Sequence, residues 1–471
     1  MTKMGIIKSF FDTRHFIRKE LIQGELPDNK SIYKRAYDIA WPSALETMLV
    51  SLIGSMDMII VSGLGASAIA AVGITNQPKF ILMCPVLALN TGVTVLVARR
   101  KGENNQEGAN NILRSALSIS IILSFVLSVI GFVFAREINL FAGANEDYID
   151  LAVVFFRFIM IGNFFTLVGL TITSAQRGAG NTKISMKTNL TANIINIVLD
   201  YFLVNGIWIF PKWGVMGDAV STMIGNIVAC LMAIYSVSRS GGFLHATLKQ
   251  NWLPHKESLQ QIFKVSSTSF IEQIFIRVGF FTYSRAIADL GTLAFATHQV
   301  CMNVMHFTFS IGEGLSIASS SLVGQSLGAK RADLAMIYSK ALQRIGLLTS
   351  IILGILIAFT RVPILMLFSQ GDANIVQMGQ AVMLVLALTV SMQVIQVITM
   401  GALRGAGDIK FVAVLMILSV TILRPSLTYL LAYSFHLGLI GAWLAVLVDQ
   451  IIRNATSQIR FSQGKWMNIH I

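Results

Sequence analysis

LGASAIAAVGITNQ, Leu64–Gln77, returns about 226 residues later as LGTLAFATHQVCMN, Leu290–Asn303. The echo continues at the same spacing. KGENNQEGA (Lys101–Ala109) lines up with LGAKRADLA (Leu327–Ala335), and SAQRGAGNTK (Ser174–Lys183) with MGALRGAGDIK (Met400–Lys410). The 471-residue chain is two copies of one unit.

Composition states what the unit is made of. The chain is 54% hydrophobic and 13% charged, more apolar surface than a soluble fold hides. Apolar runs long enough to span a bilayer recur about twelve times, near 39–63, 71–97, 113–135, 150–173, 188–209, 218–238, 265–287, 296–322, 345–362, 376–402, 411–434 and 441–460. They are continuous rather than alternating, which excludes a membrane β-barrel. The sequence predicts an all-α integral membrane protein.

Basic residues orient it. With the N-terminus in the cytoplasm, most of the 36 Lys and Arg fall in the N-terminal segment, the even-numbered connections and the C-terminal end. Arg136, Lys212 and Arg361 fall outside, and Lys79, Arg157, Arg277, Arg285 and Arg424 within helices. Both termini are expected to be cytoplasmic, in a multi-pass protein of the cell membrane. The net charge of +13 then sits beside anionic headgroups and calls for no nucleic acid. Cys84, Cys230 and Cys301 lie in separate spans without metal or redox spacing and read as packing residues.

Six helices per copy put both copies in the same orientation. The expected architecture is twelve transmembrane helices in two six-helix lobes, related by a pseudo-two-fold axis along the membrane normal. The divisions are a cytoplasmic N-terminal arm (1–37), an N-lobe (38–238), an inter-lobe connection (239–264), a C-lobe (265–462) and a cytoplasmic tail (463–471). The arm intersperses Phe10, Phe11, Phe16, Ile17 and Leu21 with Lys8, Arg14, Arg18 and Lys19, which reads equally as an amphipathic helix on the inner leaflet or a loose tail. No secretory signal is read in it.

MDMIIVSGLGASAIAAVG, VARRKGENNQEGA, QRGAGNTK, NIVLD and ATHQVCMN, in that order, resemble the MATE family of multidrug and toxic compound extrusion transporters, bacterial NorM-like and DinF-like members included. The likeness covers roughly residues 35–465. It implies a V of two lobes that exports small organic cations across the cytoplasmic membrane in exchange for Na⁺ or H⁺.

Ionisable residues inside the hydrocarbon are where such coupling is sought, since each costs about 2.5–3.5 kcal/mol to place there. In the first copy these are Glu46, Asp57, Asp200 and, near the end of the sixth span, Asp218. Asn196 lies one helical turn before Asp200. The resemblance implies that Asp57, Asn196, Asp200 and Thr222 line an N-lobe cation site, and their oxygens suit a hard ion such as Na⁺. The two carboxylates could instead share a proton.

The second copy departs from this. Asp57 corresponds to Tyr283, and Asp200 falls by Arg424–Pro425, whereas Glu46 is matched by Glu272. In the NorM-like branch that carboxylate serves cation or substrate binding, but the expected partner carboxylate on the tenth span is here Gln393. Glu272 is either a drug or ion contact or one member of a static pair with Arg277. Gln77, His298 and Gln299 are candidate cavity residues or helix bridges; Glu313 and Asp449 have no counterpart carboxylate and read either as substrate-selecting or as locally paired.

The RGAG turns at Arg177 and Arg404 lack the GxxxxGK[ST] spacing of a phosphate-binding loop, so no nucleotide is expected, and no cofactor beyond the coupling ion. Neither a nucleophile–base arrangement nor a His/Cys cluster suggests an enzyme. Pro42 and Pro78 are candidate kink points. Absence of a second subunit is the expectation, a monomeric carrier. The rival reading is a lipid-linked oligosaccharide or other lipid flippase of the same superfamily, which would favour a cationic cavity.

Overall fold

The computed structural model describes residues 11–13, 16, 17, 19–207, 211–239, 241–247, 252, 253, 255–369 and 371–469; within the first two long helices the side chains at 53, 55–59, 62, 66 and 69 lie outside that description. Among the described residues the regular elements are helical. Twelve long helices follow one another: α1 (Asn29–Ser62), α2 (Ala66–Gly102), α3 (Gln106–Val133), α4 (Ile149–Gly178), α5 (Thr182–Asn205), α6 (Val215–Ser238), α7 (Lys256–Ala288), α8 (Thr292–Gly328), α9 (Ala332–Phe368), α10 (Ala373–Ala406), α11 (Ile409–Ser434) and α12 (Gly438–Ser462). Each expected apolar run falls mainly on one of them, and among the described residues eight stretches are long and apolar enough to cross a membrane. Polar insertions lower the mean hydropathy of two of the helices, Asn196 and Asp200 in α5 and Glu272 in α7.

The helix ends show why these segments stop and restart where they do. The Asn105 side chain caps α3 by accepting from the Gly108 amide at 2.8 Å, and Asp372 caps α10 through the Asn374 amide at 2.8 Å. The duplication is written into the backbone as well. Left-handed residues recur in pairs at matching junctions: Gly65 and Gly291, Asn104 and Lys330, Gly180 and Gly407, Gly214 and Gly438.

By packing, the chain forms two compact units, one of Met1–Thr47 with Ile271–Ile471 and one of Met48–Phe270. The division runs through α1 and α7, each of which supplies residues to both. In the Met48–Phe270 unit α4 packs on α2, α3 and α6. Val72, Phe156, Ile159, Met160 and Ala219 form one apolar cluster there, and Met83, Val86 and Leu167 another. In the other unit α10 is the hub, against α8, α9 and α12. Its core includes Leu342, Met383, Val394, Ile398 and Trp443. α10 thus repeats the role of α4. Gly178 of α4 lies so near the Thr94 carbonyl of α2 that a Cβ would come within 2.5 Å of it, and Gly405 of α10 meets the Ser320 carbonyl of α8 in the same way. Cys84, Cys230 and Cys301 are buried and free.

One expectation is revised. Phe16 and Ile17 of the arm are buried in the core of the Met1–Thr47, Ile271–Ile471 unit rather than laid on a bilayer or loose. The Arg344 guanidinium stands 4.2 Å from the Phe16 ring centroid, Lys340 Nζ donates to the Phe16 carbonyl at 2.7 Å, and the Gln23 amide donates to Asp333 at 3.2 Å. The aromatic ring gains burial and a cation together. Phe11 and Lys19 are described, but Lys8, Phe10, Arg14 and Arg18 lie outside the described residues. Pro42 and Pro78 sit inside continuous helices, whereas π-helical segments, Ile417–Leu423 and Tyr429–Ser434, flank Pro425 in α11.

Candidate functional site

The seam between α5 and α6 is tight because its small residues allow it. A Cβ on Gly217 would lie 2.8 Å from the Leu203 carbonyl, and one on Gly225 2.9 Å from that of Ala192. Against this seam α5 turns Asn196 and Asp200, one turn apart, and α6 turns Asp218, Ser221 and Thr222. Asp200 and Ser221 are fully buried; Asn196 and Asp218 nearly so. Asn196 Nδ2 donates to Asp200 Oδ2 and to Thr222 Oγ1, both at 3.1 Å, with Ser221 Oγ a third acceptor at 3.4 Å. Ser221 Oγ donates to Asp200 Oδ1 and also lies 2.8 Å from the Asp218 carbonyl.

The donors described around Asp200 are thus an amide and a hydroxyl, both neutral. Neutral donors can give way to a cation. Half a turn of the Asn196 amide replaces its NH₂ with Oδ1, leaving carboxylate, amide, hydroxyl and carbonyl oxygens around one position, a donor set for a hard ion. The Asp57 side chain lies outside the described residues.

The corresponding seam of the second copy, α11 against α12, has the same close approach at Gly441 and the Leu431 carbonyl, 2.6 Å for an added Cβ. Its carboxylate has another fate. Asp449 Oδ2 accepts from Arg424 Nε at 3.0 Å, Arg424 Nη2 at 2.6 Å and Arg453 Nη2 at 2.7 Å, while Ser419 Oγ donates to Oδ1. All three charged side chains are buried. A carboxylate held by two guanidiniums is a fixed structural group rather than an exchangeable ligand.

A family model described as MatE matches residues 42–202 and again 269–430. The chain belongs to the MATE family. Its relatives include a probable multidrug resistance protein NorM of Thermotoga maritima, 26% identical over 96% of this chain and 97% of that one. Another is the uncharacterized transporter YisQ of Bacillus subtilis, 24% identical over 92% and 94%. Among solved structures, an outward-facing multidrug resistance MATE transporter of the MOP superfamily aligns with TM-score 0.84 at 20% identity, over 95% of this chain and 98% of that one. A MOP superfamily transporter from Pyrococcus furiosus, described as having a binding pocket of reverse polarity, aligns with TM-score 0.86 at 20% identity over 92% and 97%. These likenesses carry the fold: this MATE protein is a multi-pass helical membrane transporter, of a family of carriers rather than an enzyme class.

In this MATE chain the expected first-copy residues Asn196, Asp200 and Thr222 converge. Ser221, which the sequence reading passed over, belongs with them; its place three residues after Asp218 and beside Thr222 was the available signal. Glu272 is buried, and it forms an ion pair with Arg404 Nη2 at 2.5 Å, not the pair with Arg277 weighed from the sequence. The second RGAG turn therefore supplies a counter-ion. Gln393 is also buried, with Oε1 lacking a hydrogen-bond partner among the described residues. His298 is enclosed by Tyr283, Trp443 and Phe295, with ring centroids at 5.5, 5.6 and 6.4 Å. Its neighbour Gln299 is exposed, as is Gln77 in α2.

Proposed function

We propose that this MATE protein is a secondary antiporter that exports organic cations across the cytoplasmic membrane in exchange for Na⁺ or H⁺, working as a monomer with both termini in the cytoplasm. What carries the reading is the convergence of Asn196, Asp200, Ser221 and Thr222 on the α5/α6 seam, an oxygen-rich cluster around a buried carboxylate, where the second copy's Asp449 is instead held by Arg424 and Arg453. Asp200, Asn196, Thr222 and Ser221, with Asp57, form the coupling site. An ion entering from outside replaces the Asn196 amide protons at Asp200, the α5/α6 seam repacks, and the drug leaves outward. One entering cation offsets the roughly 2.3 kcal/mol that a potential of about 100 mV sets against each outgoing monovalent cation, so the concentration gradient of the ion, or a second entering ion, drives accumulation of the drug outside. Glu272, Gln77, His298, Gln299 and Gln393 remain candidates for drug contact or a second ion.

The test is ethidium export from cells making the protein, under imposed Na⁺ or H⁺ gradients, beside Asp57→Asn and Asp200→Asn. Export that follows one gradient and falls more than tenfold in both variants at normal protein levels is the expected result. Well-inserted protein that exports under neither gradient would overturn the multidrug reading and favour a lipid flippase.

A further inference from the structure

Beside the first RGAG turn, in the Met48–Phe270 unit, lies a pocket of about 310 Å³. Lys101, Gln176, Gly180, Asn181, Ser236 and Phe243 line it, with Ile184 on its apolar side and no carboxylate among its lining residues. Lys101 Nζ stands 3.8 Å from the Phe243 ring centroid, which holds the ammonium against the wall. Gln106 fixes that wall from outside, donating to the Phe243 carbonyl at 3.0 Å. Gln176, itself buried, spans part of the pocket by donating to Ser236 at 3.2 Å. The Asn181 side chain lines the pocket without capping α5.

The second copy differs at the corresponding positions. Asn181 corresponds to Asp408 and Ser236 to Arg460, and these form an ion pair at 2.7 Å. Arg460 also lies 5.2 Å from the ring centroid of Phe411, the counterpart of Ile184. The segment after α12 then buries Trp466 completely, stacked on Phe461 at 4.9 Å. Lys101 itself has become Leu327. Where the first copy lines a cavity with Asn181 and Ser236, the second thus pairs Asp408 with Arg460, and the lysine at position 101 belongs to the first copy alone.

We propose that the first-copy pocket binds a phosphate-bearing anion, with Lys101 as its counter-ion and Asn181, Gln176 and Ser236 as donors. Among the described lining residues there is one basic side chain and no carboxylate, and the donors are those that recognise phosphate oxygens. Phe243 and Ile184 give the pocket an apolar side suited to the glycerol of a phospholipid, and the turn belongs to the basic connections expected beside anionic headgroups. A lipid headgroup and a free phosphate share this chemistry.

Thermal unfolding of the purified full-length protein in detergent separates them, titrated in turn with phosphatidylglycerol, phosphatidylcholine and inorganic phosphate. Two variants are compared, Lys101→Gln and the double variant Asn181→Asp with Ser236→Arg, which rebuilds the second copy's pair inside the pocket. The expected result is stabilisation by phosphatidylglycerol, half-saturating at about fivefold higher lipid in Lys101→Gln, the equivalent of about 1 kcal/mol per basic contact, and lost in the double variant. An equal shift with inorganic phosphate would identify a free phosphate as the ligand; a shift with the lipid alone, a headgroup. Identical responses of wild type and Lys101→Gln, or no response of the wild type to either phosphate source, would overturn the proposal. Should the double variant not fold, Lys101→Gln decides alone.

Discussion

Arg404, in the turn that closes α10, places Nη2 2.5 Å from Oε1 of Glu272 on α7, joining residues 132 apart in sequence. Glu272 is 2% exposed and Arg404 28%, so the carboxylate is the member that depends on the pair. Arg404→Ala strands a buried charge, whereas Arg404→Ala with Glu272→Gln removes both. The single variant is expected to lose about 2 kcal/mol, below the 3–5 kcal/mol of a fully buried pair because Arg404 is partly solvated. The double variant should recover at least half of that loss, read as the midpoint of thermal unfolding in detergent. Equal losses would mean that the pair carries no stabilising coupling.

Ser221 completes the surroundings of Asp200, and its hydroxyl has one proton for two acceptors, the carboxylate and the Asp218 carbonyl. Ser221→Ala removes a donor to the carboxylate worth about 1 kcal/mol. If Asp200 couples transport, the concentration of the coupling ion giving half-maximal ethidium export should shift about fivefold, with Ser221→Thr keeping the hydroxyl and shifting it less. A response of Ser221→Ala equal to wild type in both rate and ion dependence would remove Ser221 from the site.

The helices, the duplication and the Asn196–Asp200 face were legible in the sequence because each is local: a run length, a repeat, a one-turn spacing. Contacts made between distant segments were not. Arg277, five residues from Glu272, looked the natural counter-ion, yet Arg404 holds it, since pairing depends on how α7 and α10 pack rather than on chain proximity. Phe16 and Ile17 scan as part of a basic amphipathic arm, and only the presence of Lys340 and Arg344 on α9 makes them core. Asp449 carried no sign of which basic residue it meets, and Ser221 offered only its place beside Thr222 and three residues after Asp218.

The close helix approaches at Gly178 and Gly405 make opposite demands from an open glycine such as Gly73. A methyl at Gly178 would meet the Thr94 carbonyl at 2.5 Å and the Ala98 amide nitrogen at 3.2 Å, all backbone, which cannot swing aside. Gly178→Ala and Gly405→Ala should each cost about 1–3 kcal/mol through overpacking. Gly73 in α2 has nothing within 4 Å of an added Cβ, so Gly73→Ala should be neutral or stabilising by up to about 1 kcal/mol through helix propensity. Parallel unfolding midpoints check all three. A Gly178→Ala protein as stable as wild type would refute the tight α2–α4 packing.

Asp449 anchors α11 to α12 where α11 departs from regular geometry, its π-helical segments ending next to Arg424 and beginning at Tyr429. The cluster contains two guanidiniums and one carboxylate, so its members are not equivalent. Asp449→Asn leaves Arg424 and Arg453 buried together without an anion and should cost about 3–5 kcal/mol, enough to abolish accumulation of folded protein in the membrane. Arg453→Gln leaves the charge-balanced Arg424–Asp449 pair, with two bonds at 3.0 and 2.6 Å, and removes a side chain whose Nε has no partner among the described residues. It should therefore be milder by at least about 2 kcal/mol. Membrane protein level and unfolding midpoint measure both. An Arg453→Gln variant as damaged as Asp449→Asn would show that both arginines are needed to hold Asp449, and that two cations on one oxygen are a requirement of the α11/α12 seam rather than an excess.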